Sequence, residues 1–238
     1  MAIRFLVFLN VLSLLGAGAL CADPAPAKEA DARLQADGSG WRLQKAQVTD
    51  AKRPRVLLAG DFILNGYLAG VTRALEGKAY VDAWVNPYHQ ASARLHTMVA
   101  EVLAQGPYDV IHFNMGLHGW QAGRIPEGEF DHHTEVLVDV LRKAAPKARL
   151  IWASTTPVTV KGKPGELDAE IDSVIVEHNR IAANVMREKD VPVNDLYLLL
   201  VDQLALARGD QFHWTGPAYK MLGEAVAAEV TKALQSPR

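Results

Sequence analysis

Asp210 stands three residues before His213 in the stretch Asp210-Gln211-Phe212-His213-Trp214-Thr215-Gly216-Pro217. A tight loop at that spacing sets a carboxylate against one imidazole nitrogen and leaves the other facing outward, which fixes the tautomer and suits the ring to take up a proton. Such pairs are common by chance. This one lies near the C-terminus, directly before an amphipathic segment from Tyr219 to Val230 whose start Pro217 favours. A second group is Val56-Leu57-Leu58-Ala59-Gly60-Asp61-Phe62-Ile63. There Gly60 permits a sharp exit from an apolar run, and Asp61 can accept hydrogen bonds from the free amides of a following helix. A third is His112-Phe113-Asn114-Met115-Gly116-Leu117-His118-Gly119-Trp120, which carries amide and imidazole donors after another apolar run. Asp131-His132-His133, with His89, His96 and His112 elsewhere, offers imidazoles but no metal-site spacing. Adjacent histidines diverge on a helix, and neither an HxxxH pair nor a cysteine pair supports zinc, so they read as a solvated helix start. Asp168, Glu170 and Asp172 suit the dipole of a helix entry. Ser154, Thr155 and Thr156 read as turn residues. Trp84, Tyr88, Trp120 and Trp214 fall near strand ends or the Asp210–His213 loop, where they pack or form a rim able to stack on sugars.

Strands able to carry these groups are expected at Arg55 to Gly60, Ala79 to Val85, Asp109 to Asn114, Ala148 to Ser154, and Val191 to Val193. Helices are expected near Ile63 to Leu75, Ser92 to Leu103, Phe130 to Ala144, Ile171 to Lys189, Leu196 to Arg208 and Gly216 to Leu234. Apolar runs of strand length alternating with longer amphipathic stretches predict the α/β class: a three-layer α/β/α sandwich on a five-stranded parallel sheet. In such open sheets ligands sit beyond the carboxyl ends of the strands, where the three groups above fall.

The N-terminus has the layout of a secretory leader over residues 1–22: Arg4, an apolar run from Phe5 to Leu20, then small residues. Residues 23–50 read as a polar lead-in and residues 51–238 as the domain. The expected location is secreted or periplasmic, with no stable membrane insertion once the leader is removed. Cys21 is the only cysteine of the 238 residues, so an intrachain disulfide is impossible and the fold rests on its core. With 25 basic and 27 acidic residues and a net charge of −2, the chain does not look like a nucleic-acid binder, which shows a clustered basic face.

The Gly60-Asp61-Phe62-Ile63-Leu64-Asn65-Gly66-Tyr67 segment resembles the GDSIxxGY opening of bacterial SGNH (GDSL-type) hydrolases, with phenylalanine at the serine position. Asp210–His213 is similar to that family's DxxH block. Ile151 to Val158, Val191 to Tyr197 and His178-Asn179 are similar to further regions of secreted bacterial members, so the resemblance covers nearly all of Arg55 to Leu234. It implies a flavodoxin-like α/β/α fold and ester hydrolysis with His213 as base, Asp210 as its orienting partner and Phe62 at the nucleophile's place. Gly116-Leu117-His118-Gly119 falls on the GxND block, placing His118 at an oxyanion-holding asparagine. His118 either donates to that oxygen or only lines the loop. Asn114 is a second donor, or else a strand residue satisfied by backbone groups. Asp61 and Gly116 complete the oxyanion side. No glycine follows the second strand in Val85-Asn86-Pro87-Tyr88-His89-Gln90, where the family uses one. The implied chemistry needs no metal or cofactor, and the implied ligand is a small-molecule or glycan ester. Because a phenyl ring has no nucleophilic atom, serine-type catalysis is expected to be impaired. The alternative is a non-catalytic binder of glycan or acyl ligands. The oligomeric state is left open.

Overall fold

A computed structural model describes residues 42–236; the expected leader, Cys21 and most of the lead-in lie outside the described residues. Five parallel strands form the centre of the sheet: β2 (Arg55–Gly60), β3 (Tyr80–Val85), β4 (Val110–Phe113), β5 (Arg149–Ala153) and β8 (Val193–Asn194). A sixth strand, β1 (Arg42–Gln44), runs antiparallel along β3, so the sheet is mixed rather than wholly parallel, in the order β1-β3-β2-β4-β5-β8. A separate hairpin joins β6 (Thr159–Val160) to β7 (Lys163–Leu167).

Alternation along β2 feeds two cores. Val56 and Leu58 point into one, with α1 (Phe62–Ala74) and α6 (Gly216–Gln235); Leu57 and Ala59 point into the other, with α2 (Ala93–Leu103) and α3 (Phe130–Ala144). Helix α4 (Ile171–Glu188) contributes Ile171 and Ile175 to the first core and Ala182, Val185 and Met186 to the second. Burial on both faces strongly favours apolar residues, which is why β2 reads as a hydrophobic run from Val56 to Ala59. The segment from Leu196 does not continue as one helix. It stops as α5 (Leu196–Val201), and a 3-10 turn at Leu204–Leu206 follows. The chain leaves the helix because Ala207 bridges Trp214 in antiparallel fashion, closing the loop that holds Asp210 and His213.

From β2 the chain passes to β3 on one side, then crosses back to β4 on the other. The order therefore reverses between β2 and β4, and a crevice opens beyond their carboxyl ends. Gly60-Asp61-Phe62 and Asn114 to Gly119 leave the sheet at that point.

Candidate active site

Asp61 caps α1, its carboxylate accepting the Ile63 N–H at 2.8 Å. Only 5 % of it is exposed, and burial pushes its carboxyl up to about 6, partly offset by the Ile63 hydrogen bond. Phe62, next in the chain, occupies the first position of α1 with a half-buried ring. That ring lies 4.6 Å from the His213 ring, 5.6 Å from His118 at 84° and 6.4 Å from Phe212, centroid to centroid. Residues distant in sequence are thus gathered around the ring of residue 62.

His213 Nδ1 lies 2.9 Å from Asp210 Oδ2, while Asp210 Oδ1 accepts the His213 N–H at 2.8 Å and the Phe212 N–H at 3.3 Å. Burial alone would raise the Asp210 carboxyl, but the backbone N–H of His213, the imidazole's charge and the Phe212 N–H outweigh it and hold the carboxyl below its usual range. An ionised Asp210 places the proton on Nδ1 and leaves Nε2 as the nitrogen for proton transfer. The loop is fastened from outside. Gln211 has φ +91, a left-handed conformation that a residue with a side chain adopts only when its surroundings impose it. Here the hairpin imposes it: Thr159 N–H donates to the Gln211 carbonyl at 3.0 Å, and Gln211 Nε2 donates to Asp168 Oδ2 at 3.0 Å.

On the opposite side, Asn114 uses its amide within the scaffold. Nδ2 donates to the Ala153 carbonyl at 2.6 Å and to Thr155 Oγ1 at 3.2 Å, and Oδ1 accepts the Gly116 N–H at 3.1 Å. A side chain at Gly116 would collide with Thr155, since a Cβ there would sit 1.9 Å from Oγ1. His118 follows in a 3-10 turn (Leu117–Gly119), its carbonyl accepting from Arg124 at 2.7 Å. Its Nε2 is buried with no hydrogen-bond partner among the described residues, and burial, then the charges of Arg124 and His89, push the imidazole down to about 4. His118 is therefore a neutral ring with one nitrogen unspent beside Phe62. Asn86 does not face the same way: its Nδ2 donates to the Gly60 carbonyl at 3.3 Å and its Oδ1 accepts the Tyr88 N–H.

Ser154 Oγ donates to Asp195 at 2.8 Å and accepts from the Tyr197 N–H, so its hydroxyl is committed to the start of α5. Asn179 clamps Thr155 through both of its backbone groups at 2.8 Å each. Trp84 and Trp214 are core residues at 1 % exposure, whereas Trp120 lies at the site, 6.5 Å from Phe212. Behind Asp61 a cavity of about 20 Å³ reaches Asn114, Thr155 and Thr156, room for about one water. Sequence reasoning did not single out Phe212, Gln211 or Tyr219. The last packs its ring over Gly66 and accepts the Trp214 N–H at 3.4 Å. Among the described residues no cluster of His, Cys, Asp or Glu is arranged to hold a metal ion.

A mixed six-stranded sheet with its order reversal at β2 and β4, flanked by helices, gives this chain the α/β/α fold of SGNH hydrolases, the fold of solved acylhydrolase and carbohydrate-esterase structures. The chain is similar to Est24, a carbohydrate acetylesterase from Sinorhizobium meliloti, with 14 % identity and a TM-score of 0.62 over 76 % of this chain and 99 % of that one. An aryl esterase from M. smegmatis gives 17 % identity and a TM-score of 0.63 over the same shares. The acetyl xylan esterase AlAXEase gives 14 % and 0.60 over 74 % and 99 %. No family model and no curated protein matches the sequence.

Proposed function

We propose that this is an extracytoplasmic protein of ester-hydrolase lineage, built for carboxylic ester or carbohydrate O-acyl ligands, in which acyl transfer through residue 62 is closed. One observation carries the reading: a phenyl ring stands 4.6 Å from the imidazole of the His–Asp pair, at the turn where the resemblance expects serine. Acyl transfer needs an oxygen to form the new bond to the carbonyl carbon and a base to take its proton. His213 Nε2 is available as base, but carbon–hydrogen bonds of a phenyl ring offer it no proton to take. What remains is polarisation and binding, which without a nucleophile leaves catalysis several powers of ten below an intact triad. The extracytoplasmic placement rests on the N-terminal leader expected from the sequence.

A second reading is favoured by the rings themselves. Phe62, Phe212 and Trp120 are half-buried, with Phe212 close to each of the other two, a surface able to hold an acyl chain or the face of a sugar without turnover. The test is hydrolysis of short-chain aryl acetates by the protein, Phe62→Ser, and each of these carrying His213→Ala. Turnover confined to Phe62→Ser and lost with His213→Ala is expected. His213-dependent turnover by the unmodified protein would overturn the proposal and point to activated water or another nucleophile. Retention of an acetylated xylo-oligosaccharide without release of acetate would support the binding role.

A further inference from the structure

A separate groove of about 690 Å³ runs along the outer side of α1, between that helix and the β1–β3 edge of the sheet. Its helical wall is one stripe: Asn65, Leu68, Ala69, Thr72 and Arg73 recur at three- and four-residue spacing, and Glu76 follows just past the helix end. From Asn65 to Arg73 the stripe is about 12 Å long. Leu68, Ala69 and Thr72 are compact enough to leave its middle open.

The charge of this groove departs from that of the chain. Four basic residues line it, Arg42, Lys45, Arg53 and Arg73, against one acidic residue, Glu76, in a protein whose net charge is −2. Arg42, Arg53 and Arg73 pair with no carboxylate among the described residues. Each is instead placed by a neutral contact or by its helix. Arg42 donates to Asn65 Oδ1 and keeps a buried Nε without a partner, Arg53 lies 4.8 Å over the Tyr80 ring, and Arg73 projects from the last turn of α1. Guanidinium groups held in this way offer forked donors that match carboxylate geometry.

We propose that this groove binds a short acidic oligosaccharide, a sugar chain bearing carboxylates, with Arg42, Arg53 and Arg73 pairing its charges and Asn65, Gln44 and Thr72 placed to meet its hydroxyls. A bilayer is a poor fit, because none of the exposed large apolar residues, Val48, Leu167, Val176, Val193 and Leu198, lines the groove. A long nucleic acid is disfavoured by the net negative charge of the chain. The groove ends at Asn65, one turn of α1 beyond Phe62, so a bound chain would run toward the site at the head of the same helix. The inference concerns binding alone and stands whether or not the ester reading holds.

The test is calorimetric titration of the full chain with oligogalacturonate at low salt, beside neutral xylo-oligosaccharide and a single-stranded DNA of equal charge. Arg73→Glu and Arg53→Ala are the groove variants, and Lys143→Glu on α3 is the charge control; all three are checked by thermal melt for intact folding. Expected are binding of oligogalacturonate that weakens as salt rises, a loss of at least tenfold in Arg73→Glu, a smaller loss in Arg53→Ala and no change in Lys143→Glu. Absent binding, equal binding of the neutral sugar, or an equal loss in Lys143→Glu would overturn the proposal. Tighter binding of the DNA would reassign the groove to nucleic acid.

Discussion

Replacing Asp61 with asparagine is expected to stabilise the fold at neutral pH, although Asp61 caps a helix. Its carboxyl is 5 % exposed, and burial raises it from the usual 3.8 to about 6. The folded state therefore binds this proton more tightly than the unfolded state. Stability from this group increases as pH falls from about 6 toward 4, and at pH 7.5 the ionised carboxylate works against folding. At about 1.4 kcal/mol for each tenfold change in proton affinity, the cost at pH 7.5 is roughly 3 kcal/mol. Asparagine retains an oxygen for the Ile63 N–H and is as good an N-cap as aspartate, but it does not ionise. Its amide nitrogen must be accommodated beside the small polar cavity, and an unpaired buried donor takes back about 1–2 kcal/mol. The net gain is about 1–2 kcal/mol, or roughly 2–8 °C in Tm for a domain of this size. Urea unfolding of both proteins at pH 4.5, 6.0 and 7.5 is the assay. The stability difference should favour asparagine at pH 7.5 and vanish or reverse at pH 4.5. A difference independent of pH, or destabilisation throughout, would refute the reasoning that Asp61 is held ionised at a cost.

Gly116→Ala should cost about 1–3 kcal/mol by thermal melt, because its methyl group would meet a buried threonine that Asn114 and Asn179 hold in place; adding Thr155→Ala should recover most of the loss. Asp168→Ala should cost about 1–2 kcal/mol by removing the acceptor for the Ile171 N–H at 3.0 Å together with the tie to Gln211. The Ile171 hydrogen bond leads the contacts that hold the Asp168 carboxyl below its usual range. Its contribution is therefore present above that range and lost as pH falls, so the deficit of Asp168→Ala should shrink in acid, as read by urea unfolding at pH 7 and pH 3.

The parallel strands were legible because central strands buried on both faces are mostly apolar, as Val56 to Ala59 show, and the exceptions, His112 in β4 and Asp82 in β3, are buried singly between apolar neighbours. Strand β1 was not. Arg42-Leu43-Gln44 is too short to show a period, and it is a strand because its backbone pairs with β3. The β6–β7 hairpin was missed for a related reason. Lys161, Gly162, Lys163, Pro164 and Gly165 read as loop, and the importance of the hairpin appears only where Thr159 meets Gln211. At the site, spacing picked out Asp210 and His213, which the fold joins through two hydrogen bonds, and the resemblance picked out Phe62, whose ring lies against that of His213. Spacing could not reveal that Asn114 spends its amide on Ala153 and Thr155, or that Phe212 joins the ring cluster, since both depend on contacts between distant segments.

The most direct test of the central claim, that residue 62 stands at the nucleophile's place before a competent His–Asp pair, is labelling with a serine-reactive fluorophosphonate read by intact-mass spectrometry. The account predicts no adduct on the unmodified protein, a single adduct mapping to residue 62 in Phe62→Ser, and its loss when His213→Ala is added. An adduct on the unmodified protein, or Phe62→Ser remaining unlabelled while folded, would contradict it.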